Sequence, residues 1–125
     1  MKIIINNYSM IPIYEQIIEQ IKTQIMEEKV KEGDILPSVR GLAKELRISA
    51  LTVKKAYDFL EKEGFISTVH GKGSYVNGLN KNIIEEENRK KLEEGFSHLI
   101  KKAQIYGLTK EEIVSLFNMM AEDIE

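Results

Sequence analysis

Two helical apolar patterns separated by only three residues, Arg47-Ile48-Ser49, constrain this chain more than any other feature. Before that connection Val39, Leu42, Ala43 and Leu46 recur at helical spacing, and Ser38 stands where an N-cap is wanted. After it Val53, Ala56, Tyr57 and Leu60 form a second stripe, Ser49 is a second cap, and Gly64 suits a left-handed C-terminal position. The spacing predicts helices over about 38–46 and from Ser49 to about Glu63. The shorter helix and its turn would brace the longer one, so that the first two turns of the longer one project.

The flanking segments complete the pattern. Residues 12–29 read as an amphipathic helix opened by Pro12, with Tyr14, Ile17, Ile18, Ile21 and Ile25 on one face. Glu15, Glu19, Lys22 and Glu27 lie largely off that face, and Gly33-Asp34 breaks the helix. Ile35-Leu36 is a short extended piece, held out of helical geometry by Pro37. Phe65–Val69 and Ser74–Val76 read as strands joined by His70-Gly71-Lys72-Gly73, whose glycines allow a tight hairpin. Helix, helix, tight turn, helix and hairpin is the order of a winged helix-turn-helix.

Asn77-Gly78-Leu79-Asn80 is a hinge, which divides the chain into residues 1–78 and 79–125. Beyond it Asn82 and Glu85 suggest a capping pair for a helix from about Ile83 to Tyr106, roughly 36 Å long at 1.5 Å per residue. Gly107 ends that helix, and Thr109 with Glu112 forms a capping box for a last one. Leu92, Phe96, Leu99, Ala103 and Tyr106 make one apolar stripe; Ile113, Leu116, Phe117, Met120 and Ile124 make another. Packing of these stripes on the first domain is one alternative, yet about 45 residues provide too little wall for an internal ligand cavity. A self-complementary two-fold interface is the economical use of them, so the tail is expected to make a homodimer. The expected fold is mainly α with a small β-hairpin wing: a winged helix-turn-helix followed by a two-helix dimerisation tail.

Composition narrows the function. Cysteine is absent, and histidine occurs twice, as His70 and His98. Disulfides, thiol nucleophiles and thiolate metal sites are therefore excluded, and no enzyme, metal site or cofactor is expected. His98 with Glu94 is a surface pair rather than half a metal site. No apolar run reaches the roughly 18 residues that span a bilayer, and the N-terminus lacks a secretory signal, so a cytoplasmic protein is expected. The net charge is only −2, but it is unevenly spread. Residues 38–75 hold seven basic and four acidic groups, whereas residues 79–125 hold seven and ten. A basic middle beside an acidic tail suits a phosphate-facing surface.

With the second stripe turned inward, the projecting helix offers Ala50, Leu51, Thr52, Lys54, Lys55 and Asp58 outward. Such turns fit the major groove, where Thr52 can meet a base edge or phosphate, Ala50 or Leu51 a thymine methyl, and Lys54 and Lys55 phosphates or guanine. Lys72 and His70 sit at the hairpin tip, and Arg40 on the second helix adds a further cation. Solvated lysines, or an Arg40–Glu45 pair, are the plainer alternatives. The rival function is a winged-helix protein-interaction module without sequence-specific DNA binding, which the apolar Ala50-Leu51 keeps open.

Several segments in order, Leu36-Pro37-Ser38-Val39-Arg40-Gly41-Leu42-Ala43, Thr52-Val53-Lys54-Lys55-Ala56-Tyr57, Leu60-Glu61-Lys62-Glu63-Gly64 and His70-Gly71-Lys72-Gly73-Ser74-Tyr75-Val76, resemble the DNA-binding domain of the GntR family of bacterial transcription regulators. Pro12-Ile13-Tyr14-Glu15-Gln16-Ile17 resembles that family's first helix, and the short tail resembles its YtrA-like subfamily. The resemblance implies a regulator, expected to be a repressor, that binds an inverted-repeat operator in double-stranded DNA as a homodimer. It implies DNA contacts from Arg40, from the third-helix start including Ser49, Thr52 and Lys54, and from His70, Gly71 and Lys72. Ala50-Leu51 and Gly41 depart from the family's usual polar and acidic residues. A small-molecule effector, should one exist, is expected at the dimer interface or in the cleft between the two parts.

Overall fold

The computed structural model describes residues 1–125. The elements in chain order are α1 (Ile13–Met26), α2 (Val39–Leu46), α3 (Ala50–Lys62), β1 (Ile66–Val69), β2 (Gly73–Val76), α4 (Lys81–Ile105) and α5 (Lys110–Ala121). They fall into two compact units, Met1–Ile84 and Glu85–Glu125. No helix is long and apolar enough to cross a membrane.

The first unit is built around three helices. Ile17, Ile18, Ile21 and Ile25 of α1 meet Leu42 and Ala43 of α2 and Val53, Ala56, Tyr57 and Leu60 of α3 in one cluster. Leu36, Phe65, Ile66 and Val76 close it on the hairpin side. Ser38 and Ser49 cap α2 and α3, accepting from the backbone N–H of Gly41 and Thr52 at 2.9 and 3.1 Å. Arg47 turns the chain between these helices in the left-handed conformation, with φ +56°. The apolar periodicities of both helices are thus the faces that are buried.

The strands pair antiparallel, Ile66 with Val76 and Val69 with Gly73. Ile35 bridges to Tyr75 on the other edge of β2, so the extended piece before Pro37 is a third line of the sheet. Gly33 N–H donates to Val76 O at 2.8 Å and Leu36 N–H to Ser74 O at 2.8 Å, which anchors that piece.

Four expectations need correction. The first helix ends at Met26, with Glu28 at φ +56°, rather than running to residue 29; Gly33 shapes the later turn into the sheet. Pro12 is its N-cap rather than its first helical residue. Lys22 does not lie on a solvated face: it is buried, with its ammonium 5.3 and 5.4 Å from the ring centroids of Phe59 and Phe65. Its charge is accommodated by the electron-rich faces of two rings from neighbouring elements. Finally, Asn80 rather than Asn82 caps α4, its Oδ1 accepting from Ile83 N–H at 2.9 Å, so the helix starts two residues earlier than expected.

The N-terminal segment carried no assignment in the sequence, yet it is tied down. Gln20 both accepts from Ile4 N–H at 2.9 Å and donates to Ile4 O at 2.7 Å. Gln16 treats Asn6 in the same way, at 2.9 and 3.1 Å, and Gln24 donates to Lys2 O at 2.9 Å. Three carboxamides one turn apart on α1 therefore act as the partner edge of an extended chain, and Ile3 enters the core.

In the second unit the α4–α5 turn is closed by Gly107 at φ +92° and by Leu108 N–H donating to Ala103 O at 3.1 Å. Thr109 and Glu112 form the reciprocal capping box of α5. Phe96 and Phe117 meet edge to face, centroids 6.2 Å apart.

Candidate nucleic-acid interface

Packing of α3 through Val53, Ala56, Tyr57 and Leu60 leaves the opposite face of its first turns uncovered. Ala50 is exposed and Leu51 is 78% exposed. Thr52 is half-buried, and its Oγ1 lies 2.7 Å from Ser49 Oγ. The cap therefore already uses one side of the Thr52 hydroxyl, and only the other can serve a base or phosphate.

The two adjacent lysines have different partners. Lys54 Nζ donates to Asp58 Oδ2 at 2.7 Å along the same helix, both side chains being 61% exposed. Lys55 reaches across to α1, where its Nζ sits 3.8 Å from the centroid of the Tyr14 ring. Sequence spacing contained the first partnership, since residues four apart share a helix face. The second needs the packing of α1 against α3 and has no local signal.

Arg40, Arg47, His70 and Lys72 are exposed, and no hydrogen bond or ion pair within the chain engages their side chains. At the wing tip Lys72 N–H donates to Val69 O at 2.9 Å, with Gly71 at φ +77°. Gly73 adopts φ +124°, a conformation strained for any other residue, and a Cβ there would lie 3.3 Å from Ile35 Cδ1. Thr68 N–H donates to Glu61 Oε2 at 2.8 Å, tying the wing to α3. At its base Asn77 Nδ2 donates to Gly64 O at 2.9 Å and accepts, through Oδ1, from Ser67 Oγ at 2.7 Å.

Tyr57 fixes α3 to the loop before α2 by donating its hydroxyl to Pro37 O at 2.8 Å. Burial holds that hydroxyl well above the ordinary tyrosine range, because the phenolate would have to form out of water.

The tail presents a second surface. Leu92, Phe96, Leu99, Tyr106, Leu116, Phe117 and Met120 are between 44% and 69% exposed, and Ala103 and Ile113 are half-buried. Ile100, Val114 and Met119, which the periodicity did not single out, are exposed as well. No residue of α5 is buried. So much uncovered apolar surface on two helices is characteristic of a contact face.

Comparison with known proteins is consistent with this geometry. Residues 13–76 match the model of the bacterial regulatory proteins of the gntR family. The chain is 37% identical over 114 residues to the HTH-type transcriptional repressor YtrA of Bacillus subtilis (strain 168), covering 91% of this chain and 88% of that protein. Among solved structures it is similar to YtrA from Sulfolobus acidocaldarius, a GntR-family transcription factor, with TM-score 0.55 and 35% identity over 99% of this chain and 98% of the other. It is also similar to AraR(DBD) in complex with operator ORX1, with TM-score 0.54 and 25% identity, covering 61% of this chain and 95% of that one.

Proposed function

This chain belongs to the GntR family of bacterial regulatory proteins, in its YtrA-like branch, and from that membership we propose that it represses transcription by binding an inverted-repeat operator as a homodimer. It is a transcriptional regulator and not an enzyme. Residues 1–78 are the reading domain and residues 79–125 the dimerisation tail.

The observation that carries the DNA-binding reading is the uncovered start of α3 together with cations that have no partner in the chain. Arg40, Lys72 and Lys55 supply phosphate contacts, which position the protein and provide most of the affinity. Ser49, Ala50, Leu51, Thr52 and Lys54 discriminate between bases, and His70 and Gly71 bring the wing against the backbone. Lys54 serves either a phosphate or a guanine edge. The AraR(DBD) complex with its operator supports double-stranded DNA as the partner.

The homodimer rests on the apolar side chains of α4 and α5, which leave a two-helix unit almost without a core of its own. A two-fold pairing of these faces would place two reading helices about one DNA turn, roughly 34 Å, or more apart.

Affinity selection of random duplexes on the purified chain, followed by sequencing, tests the proposal. The expected product is a palindromic consensus. Arg40→Ala should weaken binding to that consensus and lower its salt dependence by about 0.9 per lost phosphate contact. No enrichment, or binding untouched by Arg40→Ala, would overturn the docking described.

A further inference from the structure

Asp58 is exposed on the same face of the reading helix as Lys54. Glu61, one turn further on, is engaged by Thr68 N–H at 2.8 Å, whereas a polyanion-binding face has no evident use for Asp58. It lies eight residues beyond Ala50, about 12 Å along the axis, a distance comparable with the width of the major groove. When the first turns of α3 insert, Asp58 therefore comes near the phosphates that line the groove. Its carboxylate is not idle: it accepts from Lys54 Nζ at 2.7 Å, while both side chains stay open to solvent.

Resting on the DNA-binding reading above, we infer that Asp58 is a specificity-determining residue that commits Lys54 to a guanine edge in the operator. The reason lies in what each alternative does to the carboxylate. An ammonium has three donors, and Asp58 uses one. If Lys54 donates to a phosphate, its single positive charge is shared between two anions, and Asp58 is only partly neutralised beside a polyanion carrying one charge per about 1.7 Å of helix axis. If Lys54 instead donates to guanine O6 or N7 in the groove, it keeps Asp58 as a partner, and the carboxylate stays neutralised. Phosphates occur in every sequence, whereas the guanine acceptors occur only where guanine does. Asp58 thus penalises the contact that any duplex offers and spares the contact that only certain sequences offer, the repulsive element that discrimination between similar partners commonly requires.

The test uses the full chain carrying Asp58→Asn, Asp58→Ala or Lys54→Ala, with random-duplex selection and shift assays at several salt concentrations. Removal of the carboxylate should tighten binding to random duplex about three- to fivefold, the size of one exposed charge pair. It should also steepen the salt dependence by about 0.9, as Lys54 gains a phosphate. One guanine preference per half-site should vanish in both Asp58 variants and in Lys54→Ala. The inference is overturned if random-duplex binding is unchanged or weaker, or if the guanine preference persists without the carboxylate. A wild-type chain that selects no consensus overturns the DNA-reading proposal and this inference with it. A wild-type chain that selects one, beside Asp58 variants with an unaltered operator-to-random ratio, overturns this inference alone.

Discussion

Lys55 on α3 holds its ammonium 3.8 Å from the centre of the Tyr14 ring on α1. The contact links the outer edge of the reading helix to the first turn of another helix. It limits where a long, flexible cation can go, and a side chain ordered in advance loses less freedom when it meets a phosphate.

Tyr14→Ala should therefore weaken DNA binding without removing a charge. The expected loss is about two- to fivefold, from a contact of about 0.5–1 kcal/mol, with the salt dependence unchanged. Lys55→Ala should lower the salt dependence by about 0.9 as well. Shift assays across a salt series separate the two effects, and a Tyr14→Ala variant that binds like the wild type would deny the ring any positioning role.

The hydrogen bonds between Gln20 and Ile4 predict a local effect on stability. Gln20→Ala removes both partners of Ile4, at 2.9 and 2.7 Å, and should cost about 1–2 kcal/mol. Amide exchange at Ile4 should accelerate while amides of α3 remain protected. Uniform acceleration along the chain would instead show that the N-terminal segment unfolds only with the whole domain.

Phe117 packs edge to face on Phe96, yet remains 55% exposed. In a two-fold dimer the same change occurs twice, so Phe117→Ala should weaken association by about 2 kcal/mol or more per site. Sedimentation over a concentration series should show the variant shifted towards monomer. A wild-type chain that stays monomeric at high concentration would remove the role given to the tail.

Tyr57 predicts how stability changes at alkaline pH. Its hydroxyl titrates higher in the folded chain than in the unfolded one, so its contribution is fully present below about pH 10, the ordinary tyrosine value. Above that pH the unfolded chain ionises first, and stability falls as pH rises. Tyr57→Phe should cost about 1 kcal/mol at pH 8 through loss of the bond to Pro37 O, and the deficit should shrink above pH 10. Denaturant unfolding at the two pH values checks it; an unchanged deficit would show that Tyr57 titrates alike in both states.

The sequence alone determined the elements whose causes are local. Ser38 and Ser49 cap the helices they precede, Thr109 and Glu112 form their box, and Gly64, Gly71 and Gly107 adopt positive φ where turns were expected. Each of these depends on residues within a few positions, and side-chain spacing records such causes directly. Tertiary structure decided the rest. The carboxamides of Gln16, Gln20 and Gln24 reach backbone 10 to 22 residues away, and no periodicity encodes that distance. Lys22 is buried where Phe59 and Phe65 converge on it from α3 and the start of the wing. Lys54 and Lys55, chemically alike and adjacent, were parted because one faces Asp58 along the helix and the other faces Tyr14 across it. That choice depends on how α1 packs against α3, a property of the assembled core and not of any short stretch of chain.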